Sequence, residues 1–220
     1  MKVVVAGGTG LVGRATIDLL LATPAVEAVT ALVRREWREA PVHPRLSVAV
    51  IDFERPEASA PLLQGDALVC ALGTTMKQAG SEVAFRRVDH DYPVALGRVA
   101  RAAGTHHYLL VSSMGADPGS RVFYNRVKGE TEADIRKLGF PRVTIARPSL
   151  LLGARAELRL GEVLGRIACI LAPPRWRPVH ARQVAACLVE ALLRQAPGVE
   201  VLENRRLRAT PVAAYEREPA

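Results

Sequence analysis

The feature that most constrains this chain is the run Gly7-Gly8-Thr9-Gly10-Leu11-Val12-Gly13, which follows apolar Val3–Ala6 directly and opens an apolar-periodic stretch from Leu11 to Ala22. Glycines at i, i+3 and i+6 between a strand and a helix meet three separate needs. The first permits positive φ in the turn, the second lets backbone amides approach an anion, and the third lets the helix pack against the strand. The helix N-terminus then faces the anion, and a pyrophosphate is the anion that such a turn fits.

Short apolar runs alternate with helical stretches through the next part of the chain. The strands are read at Val29–Val33, Leu46–Ile51, Ala67–Ala71, Tyr108–Val111 and Val143–Ala146, the helices across Phe85–Ala103 and Tyr124–Leu138. Uninterrupted apolar strands between helices belong to a parallel sheet covered on both faces. The expected fold is therefore α/β: a Rossmann-type doubly wound parallel sheet, one dinucleotide-binding domain over residues 1–220. Residues 34–45, RREWREAPVHPR, are polar and proline-bearing and replace a full crossover helix. Beyond Leu150 the pattern loosens. Helices are read at Gly161–Leu171 and Gln183–Leu193, residues about 151–180 as a small substrate-side cap, and the chain from Pro211 as a loose tail.

Composition narrows the function classes. Hydrophobic residues at 49% and charged ones at 24% suit a soluble globular protein. The net charge of +8 raises nucleic acid as a partner, yet the basic residues are dispersed and aromatics are only 5%, so such binding is not expected. No run of apolar residues is long enough for a membrane span, and the N-terminal one is too short for a signal peptide. Cys70, Cys169 and Cys187 sit in apolar contexts, which suggests reduced, buried thiols and a cytoplasmic setting. The histidines are scattered, and no metal site is expected.

Several side chains stand where chemistry is expected. The second strand ends at Arg34-Arg35, where an acid would hold the ribose hydroxyls of NAD(H); guanidinium groups there favour a 2′-phosphate, hence NADP(H), with NAD(H) left open. Asp52-Phe53, after the third strand, borders the adenine or is simply an exposed loop. Tyr124 and Lys128 are four apart in YNRVK, on one helix face. A phenol is a poor base at neutral pH unless a cation stands near, and Lys128 supplies one. Ser112 and Ser113 end the strand YLLVSS, where open α/β sheets bind ligands, so a hydroxyl there can bond a substrate oxygen while Tyr124 handles the proton.

These pieces together resemble the short-chain dehydrogenase/reductase superfamily in its atypical branch. More narrowly, VCALGTTMKQAGSEVAFRRVDHDY, LLVSSMGAD and YNRVKGETEADI are similar to the Tat-interacting-protein group of oxidoreductases and its bacterial NAD(P)H-binding relatives. The resemblance implies that the glycine turn, with Thr9, holds the pyrophosphate and Arg34 and Arg35 the adenosine phosphate. It implies that Ala71, Leu72, Gly73 and Thr74 run alongside the cofactor, and that Arg147, Pro148 and Ser149 lie beside the nicotinamide. Ser113, with Ser112 as second choice, would polarise the substrate, Tyr124 would donate the proton, and Lys128 would also hold the nicotinamide ribose. Two departures stand out: Ser113 and Tyr124 are closer than in the common short-chain enzymes, and their helical asparagine is here Asp89.

The first expectation is an NADP(H)-dependent oxidoreductase acting on a small carbonyl or alcohol substrate, as a monomer or homodimer. The second is a non-catalytic redox sensor whose cofactor occupancy is read by a protein partner. Sugar-nucleotide epimerisation would need a larger lobe than the chain beyond Leu150 offers.

Overall fold

The computed structural model describes residues 1–152 and 176–211. The helix expected at Gly161–Leu171, most of the expected cap and the tail after Pro211 lie outside them.

The strand β1 (Lys2–Ala6), KVVVA, buries every residue after its first, which requires a place in the middle of a sheet. It pairs in parallel with β2 (Ala28–Val33) through Val5↔Ala31 and with β4 (Ala67–Cys70) through Val5↔Val69. With β3 (Leu46–Val50), β5 (His107–Val111), β6 (Arg142–Arg147) and β9 (Gly198–Glu203), these strands form one seven-stranded parallel sheet in the order β3-β2-β1-β4-β5-β6-β9. A small separate pair joins β7 (Leu151–Leu152) to β8 (Val179–His180). The direction of winding reverses between β1 and β4. Loops leaving those two strands diverge, and a crevice opens at their C-terminal ends.

Alternate residues of β1 serve opposite cores. Val3 and Val5 pack with Ile17 and Leu20 of α1 (Leu11–Ala22) and with Val184 and Leu188 of α6 (Ala181–Arg194). Val4 and Ala6 face Leu96 of α4 (Tyr92–Ala102) and Ile135 of α5 (Phe123–Lys137). The doubly wound fold is thus as expected. Residues 34–45 contain no helix, as their composition indicated.

Several features besides the small β7–β8 pair depart from the expectation. The edge strand β9 and the short α7 (Asn204–Ala209) were not foreseen, because GVEVLE is half polar and carries a glycine. Two short 3₁₀ turns that meet at a kink at Ser59 span Pro56–Leu63. The helix expected across Phe85–Ala103 begins earlier and contains a π turn: after the short α2 (Met76–Ala79), α3 (Glu82–Arg86) continues through a single π turn, Arg87–Asp91, into α4. Tyr92 N–H donates to Arg87 O across that turn. Pro93 has no N–H to offer the Asp89 carbonyl, which instead has the Thr131 hydroxyl 2.9 Å away.

Candidate functional site

The glycine turn is shaped by close approach. Gly7 has φ +88°, and a Cβ there would lie 2.5 Å from Ala71 O, while one on Gly13 would collide with the Gly7 carbonyl. Gly10 donates to Gly7 O at 3.0 Å and caps α1 without a side chain, and no acid occupies the first turn. The positive end of a twelve-residue helix, without a side-chain cap at Gly10, therefore opens toward the crevice. The crevice is lined by Gly7, Thr9, Gly10, Arg34, Phe53, Ala71, Leu72 and Gly73 among the expected residues, and by Leu32, Val33, Val88 and Tyr92 besides. Backbone brought this close at Gly7 and Gly13, beside a helix end capped by a glycine, fits a dinucleotide.

At the far end of that crevice Arg34 forms part of the wall; Arg35 is exposed and does not. Phe53 is buried against Tyr92, ring centroids 5.8 Å apart. The Asp52 carboxylate accepts the Glu54 N–H at 2.8 Å, shaping its own turn.

The acid-base candidates gather around α5. Lys128 Nζ lies 2.7 Å from Asp89 Oδ1, both side chains buried, and Asp89 Oδ2 accepts Thr74 N–H at 2.8 Å. A Cβ on Gly73 would come within 3.8 Å of Lys128 Nζ, so the ammonium lies directly beneath the wall of the crevice. Burial pulls the Lys128 pKa down, but the charges of Asp89 and then Tyr124 outweigh it and hold the pKa above its ordinary value. The Tyr124 ring packs on Phe85 with centroids 5.4 Å apart.

The two serines differ sharply. Ser112 Oγ donates to Glu132 Oε1 at 2.6 Å, whereas Ser113 Oγ is buried without a hydrogen-bond partner among the described residues. A loop holds Ser113 in place: Met114 N–H donates to Pro148 O at 2.8 Å, and Asp117–Pro118 lies against Gly129, where a Cβ would collide with it.

Arg147 does not turn its guanidinium to the crevice. Its Nε and Nη2 donate to the two oxygens of Glu132 at 2.9 and 2.6 Å, and Nη1 reaches Glu203 at 3.1 Å. Pro148 is buried. Ser149 N–H donates to Asn204 Oδ1 at 3.0 Å, and Ser149 Oγ donates to Arg177 O at 2.6 Å. Asp89 was singled out only as a departure, and Glu132, Glu54, Tyr92 and Asn204 were missed. Each acts through a partner far along the chain, and a local reading of polar stretches such as VKGETEADI gives no signal for such a role.

Comparison with known proteins agrees with this geometry. The family described as NAD(P)H-binding matches residues 7–195. The protein HTATIP2 of Rattus norvegicus is 36% identical over 94% of this chain and 87% of its own. The mitochondrial protein FMP52 of Coccidioides immitis (strain RS) is 36% identical over 93% of this chain and 90% of its own. Among solved structures, the Bordetella bronchiseptica enzyme WbmH in complex with NAD+ superposes with a TM-score of 0.70 at 16% identity, covering 92% of this chain and 75% of that one. That likeness speaks for the fold alone. The cytoplasmic setting expected from the cysteines is corrected by the fungal relatives, which are named mitochondrial. Buried thiols such as Cys70 and Cys187 report a protected environment and not a compartment. Among the described residues no helix is long and apolar enough to cross a membrane. The chain belongs to the NAD(P)H-binding family.

Proposed function

We propose that the protein is an NADP(H)-dependent oxidoreductase that interconverts a small carbonyl compound and its alcohol. The observation that carries this reading is the Ser113 hydroxyl, buried and without a hydrogen-bond partner among the described residues, just past the C-terminal end of β5. A buried polar group without a partner costs about 1–3 kcal/mol. A substrate oxygen supplies the missing acceptor.

A bound dinucleotide supplies the hydride; the chain's own groups bind, orient and move the proton. The amides at the start of α1 and the Gly7–Gly13 turn take the pyrophosphate, and Arg34 pairs with the 2′-phosphate. Ser113 Oγ donates to the substrate oxygen, and Tyr124 delivers the proton to that oxygen as it becomes an alkoxide. Lys128, one helical turn along α5, offsets the charge then left on the Tyr124 oxygen. Asp89, by its ion pair and its bond to Thr74 N–H, fixes where Lys128 stands. The test is NADPH oxidation across aldehydes, ketones and quinones by the wild type and Ser113→Ala. A loss of about 10²-fold or more in Ser113→Ala with NADPH affinity retained supports the reading, and unchanged turnover removes it.

A second reading, a nucleotide-occupancy sensor without turnover, draws on the same ion pair. Asp89 neutralises the ammonium that Tyr124 would use. Tight NADPH binding with no oxidation by any member of the panel would favour this reading.

A further inference from the structure

A second arginine, Arg87, stands behind the part of the crevice wall formed by Arg34 and Tyr92 without lining it. Tyr92 Oη donates to Glu54 Oε1 at 2.6 Å, and Arg87 Nη1 stands 3.6 Å from that same oxygen. Tyr92 lines the crevice with Arg34 and with Val88, the neighbour of Arg87 in the π turn. Arg87 and Glu54 are each about half exposed, at 51% and 54%, so either can change partners without breaking the core. Burial and then Glu54 push the Tyr92 phenol up to about 12, while Arg87 and Arg34 both pull it down, so the charges of both arginines reach this hydroxyl. Arg87 and Arg35 are both exposed and neither forms part of the crevice wall; they differ in that Arg87 faces the carboxylate bonded to the crevice-lining Tyr92, whereas Arg35 has no ion pair among the described residues.

We infer that Arg87, and not Arg35, is the second cation that joins Arg34 on the 2′-phosphate, and that Glu54 is the carboxylate with which that phosphate competes. This rests on the NADP(H) reading above and adds to it a specificity device. With a 2′-hydroxyl in place Arg87 stays with Glu54; with a phosphate in place two guanidinium groups converge on a dianion, and Glu54 keeps its bond from Tyr92. A chain built this way discriminates by repulsion as well as attraction, because Glu54 opposes the phosphate that the arginines draw in.

The test separates the phosphate from the rest of the cofactor. Affinities for 2′,5′-ADP and 5′-AMP are measured by calorimetry for the whole chain at low, fixed salt. The ratio of the two is the readout, since a general loss of structure moves both. Arg87→Ala is expected to lower the preference for 2′,5′-ADP by about fivefold, the scale of one half-exposed charged contact, and Arg87→Lys by less. Arg35→Ala is expected to change it by less than about twofold. Glu54→Gln, which keeps an acceptor for Tyr92 while removing the charge, is expected to raise it. An Arg87→Ala protein with the wild-type ratio, a larger loss in Arg35→Ala, or an unchanged or lower ratio in Glu54→Gln would overturn the inference. Equal affinities of the wild type for the two nucleotides would overturn the NADP(H) reading itself, before any variant is compared.

Discussion

Asp89 Oδ1 lies 2.7 Å from Lys128 Nζ, and 1% and 7% of the two side chains are exposed. The π turn makes this contact possible by setting Asp89 beneath Gly73 and Thr74. Asp89→Ala leaves the ammonium buried and unpaired, and a loss of about 3–5 kcal/mol is expected in urea unfolding. Asp89→Asn keeps the acceptor for Thr74 N–H but removes the charge that outweighs burial at Lys128. The lysine then loses its proton at lower pH than in the wild type. The alkaline limb of the turnover profile should move to lower pH, and an unmoved limb would show that Lys128 does not act as a cation in the reaction.

Glu132 joins three parts of the sheet's C-terminal edge. It accepts from Ser112 at the end of β5 and from Arg147 at the end of β6, and Arg147 continues to Glu203 at the end of β9. Glu132→Ala leaves the partly exposed Arg147 guanidinium with Glu203 alone and takes the acceptor from Ser112, with an expected cost of about 2–3 kcal/mol. Arg147→Lys loses the two-pronged geometry and should cost about 1–2 kcal/mol. Equilibrium denaturation of the two variants checks the order; a negligible cost in Arg147→Lys would mean that charge alone, and not the paired hydrogen bonds, stabilises the junction.

Two glycines separate folding from binding. A Cβ on Gly13 has only the Gly7 carbonyl and Gly8 backbone to meet, so Gly13→Ala should lower the melting temperature and abolish nucleotide binding together. Gly10 has φ −82°, which any residue adopts, and its Cβ would come no closer than 3.3 Å to Gly7 O. Gly10→Ala should therefore leave the melting temperature nearly unchanged while weakening NADPH by about tenfold or more, because the methyl group stands over the amides that take the phosphate. A thermal scan beside a fluorescence titration distinguishes the two.

His107 couples stability to pH. Burial, with the charge of Arg142 adding to it, pushes its ring down to about 4 from an ordinary 6.5, and Nε2 bonds Thr144 Oγ1 at 2.9 Å. Above pH 6.5 neither the folded nor the unfolded ring is charged, and stability is at its full value. Between 6.5 and about 4 only the unfolded chain takes up the proton, so stability falls as the pH is lowered, by up to about 3 kcal/mol. Urea midpoints across this range should show that fall in the wild type and a shallower one in His107→Gln.

The parts of this molecule that were legible in the sequence are those whose physics is local. β1, the glycine turn and α1 follow one another without interruption, and strands such as Val29–Val33 are apolar on both sides because helices cover both faces of the sheet. Among the described strands β9 pairs with β6 alone, so its pattern stays half polar and resembles a loop. The π turn depends on Pro93 withholding a donor from a carbonyl four residues earlier, inside a stretch whose apolar periodicity otherwise reads as plain helix. The distinct fates of Ser112 and Ser113 depend on Glu132, twenty residues beyond Ser112. Nothing in the pair of adjacent serines distinguishes them.

The central claim is that Tyr124 delivers the proton in an NADPH-dependent reduction. The most direct measurement mixes the NADPH-loaded wild type and Tyr124→Phe with each carbonyl compound of the panel and follows loss of the reduced nicotinamide absorbance, with NADPH affinity measured in parallel. The account predicts turnover by the wild type that falls by about 10²–10⁴-fold in Tyr124→Phe, with affinity for NADPH little changed. Undiminished turnover in Tyr124→Phe, or none in a wild type that binds NADPH, would contradict it.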